Sequence, residues 1–265
     1  MNTPGLETPD NIRWRVGHIS DPIGFIPRER CSWNHRFDDS KQRFRTLYCA
    51  IRPETALREV LADLRRNTDE LARYLKTFGE EARADLPAEE ISADWRGQNV
   101  LAPCQIDSDG EILDLTDPAV RHQIEQRHAA LLATHGMAHL DIAQVTVRRR
   151  AVTRALATDA YDELGCAGIR FPSRLDGLPC YALFEGRARL EAIDPPIPLT
   201  DPPPPALEHV AADWGLLLQP APKKRWSRPV SRVNLLRRSS ACCGCYAAIT
   251  SSGSSVTGGA GSSCS

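Results

Sequence analysis

The feature that most constrains this sequence is an irregular alternation of short strand-like segments and amphipathic helices between residues 12 and 193. Seven segments are apolar, or alternate apolar and polar residues, and are bounded by turn-forming residues, which is the pattern of β-strands. They are residues 12–16, 45–51, 99–106, 111–115, 168–171, 179–184 and 188–193. Because strands and helices do not alternate strictly, the sequence predicts an α+β architecture.

Four longer segments carry helical spacing, and the first of them is the clearest. It begins at Pro53, a residue that suits the first helical position, and apolar side chains then recur at helical intervals up to Leu64. The four predicted helices cover residues 53–66, 69–78, 118–134 and 148–164.

The composition changes towards the C-terminus. A proline run at 202–205 predicts an extended linker, followed by one short docking helix within 207–218. Residues 221–265 are rich in Ser and Gly and hold seven Lys or Arg but no Asp or Glu, so we expect this tail to be disordered. The predicted organisation is a folded domain over 1–195, a Pro-rich linker with a docking helix over 196–220, and a basic tail over 221–265.

Charge and hydropathy exclude several classes of protein. Residues 1–220 contain 26 Lys or Arg and 34 Asp or Glu, a net charge of −8. This acidic balance argues against nucleic acid as a direct partner. No apolar run approaches the ~18 residues of a membrane helix, and residues 1–11 lack the basic and apolar regions of a secretory signal. We therefore expect a cytoplasmic protein whose nine cysteines are reduced thiols.

Several familiar catalytic and metal-binding motifs are missing. There is no GxGxxG after a strand, P-loop, HExxH or GxSxG. His135 and His139 are four residues apart but have no evident third ligand, and the Cys242-Cys243-Gly244-Cys245 segment is spaced too tightly for a tetrahedral thiolate site. The sequence therefore predicts no metal site.

Three segments carry the candidate chemistry. The first contains Arg36, the second runs from Tyr48 into the helix that bears Glu59, and the third is a Pro/Gly turn that contains Ser173. On its helix, Glu59 lies about 140° from the centre of the apolar stripe, so it points away from the local core. Taken singly, Glu59 could be a solvated helix residue and Ser173 an ordinary turn residue.

Together these segments resemble the RES domain, named for Arg, Glu and Ser. The matching residues are Arg36 in HRF, Tyr48 and Glu59 in the LYCAIRPETALRE segment, and Ser173 in FPS. The resemblance runs from about residue 13 to 193, with Phe171 where Tyr is more usual and a longer stretch between Glu59 and Ser173, which we attribute to helices within 65–95. It implies an ADP-ribosyltransferase-like mixed β-sheet with flanking helices.

The resemblance also implies a function. It indicates an enzyme that cleaves the nicotinamide–ribose bond of NAD⁺ and serves as the toxin of a toxin–antitoxin pair, with a helix-turn-helix antitoxin as partner. Arg36, Tyr48, Glu59 and Ser173 would bind NAD⁺ as substrate, and Glu59, Arg36 and Ser173 would be catalytic, without a metal or a further cofactor. Water, phosphate or a protein side chain could accept the ADP-ribose, so a glycohydrolase, a phosphorylase and a mono-ADP-ribosyltransferase remain open, as does an inactive binding module of the same fold.

Overall fold

The computed structural model describes residues 11–146 and 150–220, and its strands are short except for one. Strand β4 runs over ten residues and pairs with three other strands. The strands are β1 (Arg13–His18), β2 (Thr46–Ala50), β3 (Glu90–Ile91), β4 (Asn99–Ser108), β5 (Ile112–Asp114), β6 (Gly168–Pro172), β7 (Pro179–Phe184), β8 (Ala188–Ala192), β9 (Ile197–Pro198) and β10 (Leu217–Leu218).

Most of the helices lie in two stretches of the chain, one between β2 and β4 and the other between β5 and β6. They are α1 (Pro53–Val60), α2 (Thr68–Phe78), α3 (Ala93–Gln98), α4 (Pro118–Arg127), α5 (Ala129–Thr134), α6 (Ile142–Thr146), α7 (Arg150–Asp162) and α8 (Pro205–Trp214). The additional helical structure expected within 65–95 consists of α2, the start of α3 and a 3-10 segment, Glu80–Asp85, between them.

Two of the predicted helices are shorter in the structure than the sequence pattern suggested. The helix expected over 53–66 ends at Val60: Leu61 leaves α-helical geometry with its side chain buried in the core, and Ala62–Leu64 continue as a 3-10 segment. The helix expected over 118–134 is broken at His128, whose ring lies 3.0 Å from the Asp159 carboxylate of α7. In both cases the residue at the break makes a tertiary contact, although the apolar pattern continues in the sequence.

A mixed sheet organises the molecule. Its strand order is β5-β6-β7-β2-β1-β4-β8, with β9 also paired to β4. The β5–β6 pair is parallel, whereas the other pairs of this sheet are antiparallel. The predicted α+β architecture, a mixed β-sheet with flanking helices, is therefore confirmed.

The two faces of this sheet pack against different partners. Along β7, Cys180, Ala182 and Phe184 join a large core with the helices, whereas Tyr181 and Leu183 join a smaller cluster. Every β7 residue from Cys180 to Phe184 is buried, which explains why this strand reads as a continuous apolar run. The helix-covered face is the one that carries the candidate site.

Helix α8 lies near the C-terminal end of the described chain and packs against α1. It begins at Pro205 and ends at Trp214, where Gly215 takes the left-handed geometry (φ 66°, ψ 31°) of a helix C-cap. The helix therefore starts and ends earlier than the expected 207–218, and Leu217–Leu218 instead pairs in parallel with β3. The expected tail over 221–265 lies outside the described residues, and the domain boundaries at 195 and 220 stay predictions.

None of the helices in the described part of the chain is both long and apolar enough to cross a membrane.

Candidate active site

The four predicted site residues come from four segments that are distant in sequence. Arg36 lies in the loop between β1 and β2, Tyr48 in β2, Glu59 in the last turn of α1, and Ser173 directly after β6. Strands β6, β7 and β2 are neighbours in the sheet, and α1 follows β2 after two residues. The sheet order therefore brings the end of α1 next to the end of β6.

Glu59 and Ser173 are in direct contact. The Ser173 hydroxyl donates a hydrogen bond to Oε1 of Glu59, with 2.6 Å between the oxygen atoms. Glu59 is half-buried, and Ser173 is only 2% exposed. A hydrogen bond to an ionised acceptor is short and strong, so this contact fixes the orientation of the carboxylate.

A second hydrogen bond sets the direction of the Ser173 hydroxyl. Its oxygen accepts the backbone N–H of Leu175 at 3.1 Å, which occupies part of its acceptor capacity. A serine hydroxyl has a single hydrogen to donate, and here that hydrogen is directed at Glu59. The geometry suits Ser173 to orienting a carboxylate.

Arg36 adds positive charge beside this pair. Burial lowers the pKa of the Arg36 guanidinium, and the Glu59 carboxylate opposes that shift, so the two groups lie within electrostatic reach of each other. The guanidinium also donates to the backbone carbonyl of Val145 in α6. Arg36 is thus anchored to α6 within electrostatic reach of the end of α1.

Tyr48 lies under the Arg36 loop. Its phenol oxygen accepts the backbone N–H of Phe37 at 3.0 Å, and its ring meets Phe171 edge-on at 6.4 Å between centroids. Burial raises the pKa of the Tyr48 phenol well above its usual value, so the group stays protonated at neutral pH and can donate a hydrogen bond. Arg36 and Glu59 also act on this pKa, which places Tyr48 in the same electrostatic environment as the other site residues.

Two further charged side chains, which the family motif does not include, lie near the site. Arg174 follows Ser173 in the chain and is exposed, and Arg150 at the start of α7 donates to the carbonyl of Asn34. Both arginines depress the pKa of Arg36 further. The proximity of Arg150 to Arg36 depends on the packing of α7, so no sequence pattern could have indicated it.

Metal ligands are not grouped in the part of the chain that the structure describes: no three His, Cys, Asp or Glu side chains there could hold a metal ion together. The five cysteines between 11 and 220 are free thiols. Burial raises the pKa of the Cys180 thiol, and the charge of Glu59 raises it further, so this cysteine lies within electrostatic reach of the site. That thiol is therefore protonated and unreactive at neutral pH.

One comparison with known proteins, the family model, agrees with the resemblance that the motifs carry. A family model described as the RES domain matches residues 13–204. Among solved structures, the crystal structure of the M. tuberculosis MbcT-MbcA toxin-antitoxin complex is similar, with 16% identity, a TM-score of 0.38, and coverage of 68% of this chain and 81% of that chain. The comparison with curated proteins found no match.

Proposed function

This chain belongs to the RES domain family, and on that premise we propose that it is an enzyme that cleaves the nicotinamide–ribose bond of NAD⁺. The observation that supports the proposal most directly is the 2.6 Å hydrogen bond that orients Glu59 through Ser173, within electrostatic reach of the cationic side chain of Arg36. A fixed carboxylate next to a guanidinium suits a substrate that combines a cationic reacting centre with anionic phosphates.

In the proposed reaction, the bond between C1 of the ribose and the ring nitrogen of nicotinamide breaks. The electron pair of that bond leaves with nicotinamide, which departs as a neutral molecule, and positive charge develops on the ribose as in glycoside hydrolysis. Glu59 stabilises that charge electrostatically. Because Ser173 holds the carboxylate in place before the reaction, little reorganisation is needed as the charge develops.

Arg36 and Tyr48 take binding roles in this proposal. A guanidinium offers a planar set of donors that matches phosphate oxygens, so Arg36 would bind the pyrophosphate. The protonated Tyr48 phenol would donate a hydrogen bond to the nicotinamide ribose or pack against it.

The acceptor of the ADP-ribose group distinguishes the members of this proposed class. Water gives ADP-ribose, inorganic phosphate gives ADP-ribose 1″-phosphate, and a protein side chain gives an ADP-ribosylated protein. All three outcomes share the departure of nicotinamide. We favour a small-molecule acceptor, so that the enzyme is a glycohydrolase or a phosphorylase and degrades NAD⁺.

An enzyme that consumes NAD⁺ would injure the cell that makes it. The RES resemblance therefore leads us to propose that the chain is the toxin of a toxin–antitoxin pair, restrained by a helix-turn-helix antitoxin that blocks the site. The acidic balance of residues 1–220, 26 Lys or Arg against 34 Asp or Glu, suits a basic partner surface.

Product analysis tests the proposed function. Purified full-length protein is incubated with NAD⁺ in the presence and absence of phosphate, and the products are separated by liquid chromatography with mass detection. We expect nicotinamide together with ADP-ribose or its 1″-phosphate. Free nicotinamide with ADP-ribose attached to an added protein extract, and no free ADP-ribose or 1″-phosphate, would favour the transferase, whereas intact NAD⁺ after hours under all conditions would leave only the binding module.

A further inference from the structure

The turn that carries Ser173 is a closed unit. Residues 173–178 join β6 to β7, and the backbone N–H of Ser173 donates to the carbonyl of Leu178 at 2.8 Å. The N–H of Gly177 donates back to the carbonyl of Ser173 at 2.9 Å, with Gly177 at φ 76°. The position of Ser173 therefore depends on the geometry of this whole turn.

One side chain of the turn, Asp176, connects it to helix α1. Oδ1 of Asp176 accepts the backbone N–H of Leu178 at 3.1 Å, which stabilises the turn. Oδ2 accepts the hydroxyl of Thr55 at 2.8 Å and forms an ion pair with Arg58 at 3.4 Å. Thr55 is fully buried, and the side chains of Asp176 and Arg58 are only 14% and 13% exposed, so water competes little for these contacts.

The spacing along α1 relates these contacts to Glu59. Thr55 and Glu59 are four residues apart, one helical turn, and therefore lie on the same face of α1. The turn is thus joined to that face at two successive levels, by Asp176 at Thr55 and by Ser173 at Glu59. A rotation or shift of the turn that lengthened one hydrogen bond would also disturb the other.

We propose that Asp176 is a positioning residue for the reaction: by joining the 173–178 turn to α1 through Thr55 and Arg58, it sets the contact between Ser173 and Glu59. This inference rests on the proposed function. It assigns Asp176 no contact with substrate, and its effect on catalysis passes entirely through Ser173.

Two substitutions of Asp176 separate its contributions. Asp176→Ala removes all three contacts. Asp176→Asn keeps the volume but replaces one acceptor oxygen with an NH2 group, so it loses the ion pair with Arg58 and cannot keep the bonds from Leu178 and Thr55 in their present directions. Asp213→Asn is the matched control, because Asp213 of α8 binds the same Arg58 at 2.7 Å but is 51% exposed and lies outside the turn.

A double-mutant cycle with Ser173→Ala tests whether Asp176 acts through Ser173. In the wild-type background we expect Asp176→Ala to lower kcat for NAD⁺ about 10- to 100-fold with KM changed less than about threefold, since displacement of a catalytic group by about 1 Å has effects of that size. In the Ser173→Ala background the same substitution should change kcat less than about threefold. Equal fold losses in the two backgrounds, or an unchanged kcat, would overturn the proposal; if the alanine variant does not fold, the asparagine variant completes the same cycle.

Amide hydrogen exchange tests the positioning role of Asp176 in the 173–178 turn without a measurement of activity. The Leu175 amide is protected by its hydrogen bond to Ser173, so in Asp176→Asn its exchange should become at least about tenfold faster. The Ala182 amide in β7 should exchange at the wild-type rate in the same variant. In Asp213→Asn, the Leu175 amide should also keep its wild-type rate. Unchanged exchange at Leu175 would contradict the positioning role. If the wild-type protein releases no nicotinamide, the proposed function fails, and this exchange measurement still decides whether Asp176 holds the turn.

Discussion

Ser173 and Glu59 are separated by 114 positions in the chain, yet their side-chain oxygens lie 2.6 Å apart. The contact depends on the sheet, because β6 ends at Pro172 and its neighbours β7 and β2 lead back to the helix that carries Glu59. The Ser173 hydroxyl donates its single hydrogen to the carboxylate and accepts the N–H of Leu175. This arrangement gives Glu59 a defined orientation within a half-buried site.

Replacement of Ser173 by alanine removes the only hydroxyl that this turn directs at Glu59 in the described structure. A hydrogen bond to a charged group contributes about 1.5 to 3 kcal/mol, so we expect kcat for nicotinamide release to fall about 10- to 100-fold. The measurement is the initial rate at saturating NAD⁺. Ser108→Ala, which removes an exposed hydroxyl at the end of β4, is the matched control and should leave the rate unchanged. A Ser173→Ala variant with wild-type kcat would show that this hydrogen bond has no role in catalysis.

Buried Asp39 makes stability depend on pH. Its side chain is fully buried and accepts hydrogen bonds from Arg43 and Thr158. Burial alone would raise the pKa of this carboxyl, but hydrogen bonds from Arg43, with smaller contributions from Lys41 and Thr158, together outweigh it and lower the pKa to about 2. Because the folded-state pKa is below the unfolded value of about 3.9, the stabilisation is fully present above that value and is lost as the pH falls towards 2.

Asp39→Asn should therefore lower the free energy of unfolding by about 1 to 3 kcal/mol at pH 7, measured by urea denaturation. The difference from wild type should shrink between pH 4 and pH 2. Asp162→Asn is the control, because Asp162 binds the same Arg43 at a position that is 33% exposed, and its effect should stay below about 1 kcal/mol. A difference that persists unchanged down to pH 2 would contradict the assigned pKa.

The sequence predicted most of the sheet because its strands are locally encoded. The predicted segment 179–184 coincides with β7, and the other strands of at least three residues agree within two residues at each end. The two-residue strands β3, β9 and β10 and the short helix α6 were not predicted, and α3 was covered only at its start, since so few residues carry no measurable period. The break between α4 and α5 falls at His128, which contacts Asp159 of α7, and no local pattern reveals that contact.

The candidate site was also predicted only in part from the sequence. Arg36, Tyr48, Glu59 and Ser173 were identified because they occupy the positions of a family motif. Asp176 precedes Gly177 in a segment that reads as an ordinary turn, and its bonds to α1 depend on how β6 and β7 bring that turn against the helix. Positions that act through tertiary contacts therefore need the structure.

Expression in bacteria tests the toxin proposal. If the enzyme degrades NAD⁺, induction should slow growth, and the cellular NAD⁺ concentration should fall before the growth rate does. Arg36→Ala and Glu59→Ala should relieve the growth defect while the proteins remain soluble and folded. The measurements are culture density and extracted NAD⁺ at matched times after induction. NAD⁺ that declines only after growth has stopped, or unimpaired growth with folded wild-type protein, would contradict the toxin proposal.

The most direct test of the central claim is the initial rate of nicotinamide release by purified wild-type protein and by Glu59→Gln, measured side by side. Glutamine keeps the shape of the side chain and can still accept a hydrogen bond from Ser173, but it cannot stabilise positive charge on the ribose. We predict that the wild-type protein releases nicotinamide and that Glu59→Gln, with an unchanged melting temperature, is at least about 100-fold slower. Equal rates for the two proteins would contradict the assignment of Glu59, and no release by the folded wild-type protein would contradict the proposed reaction itself.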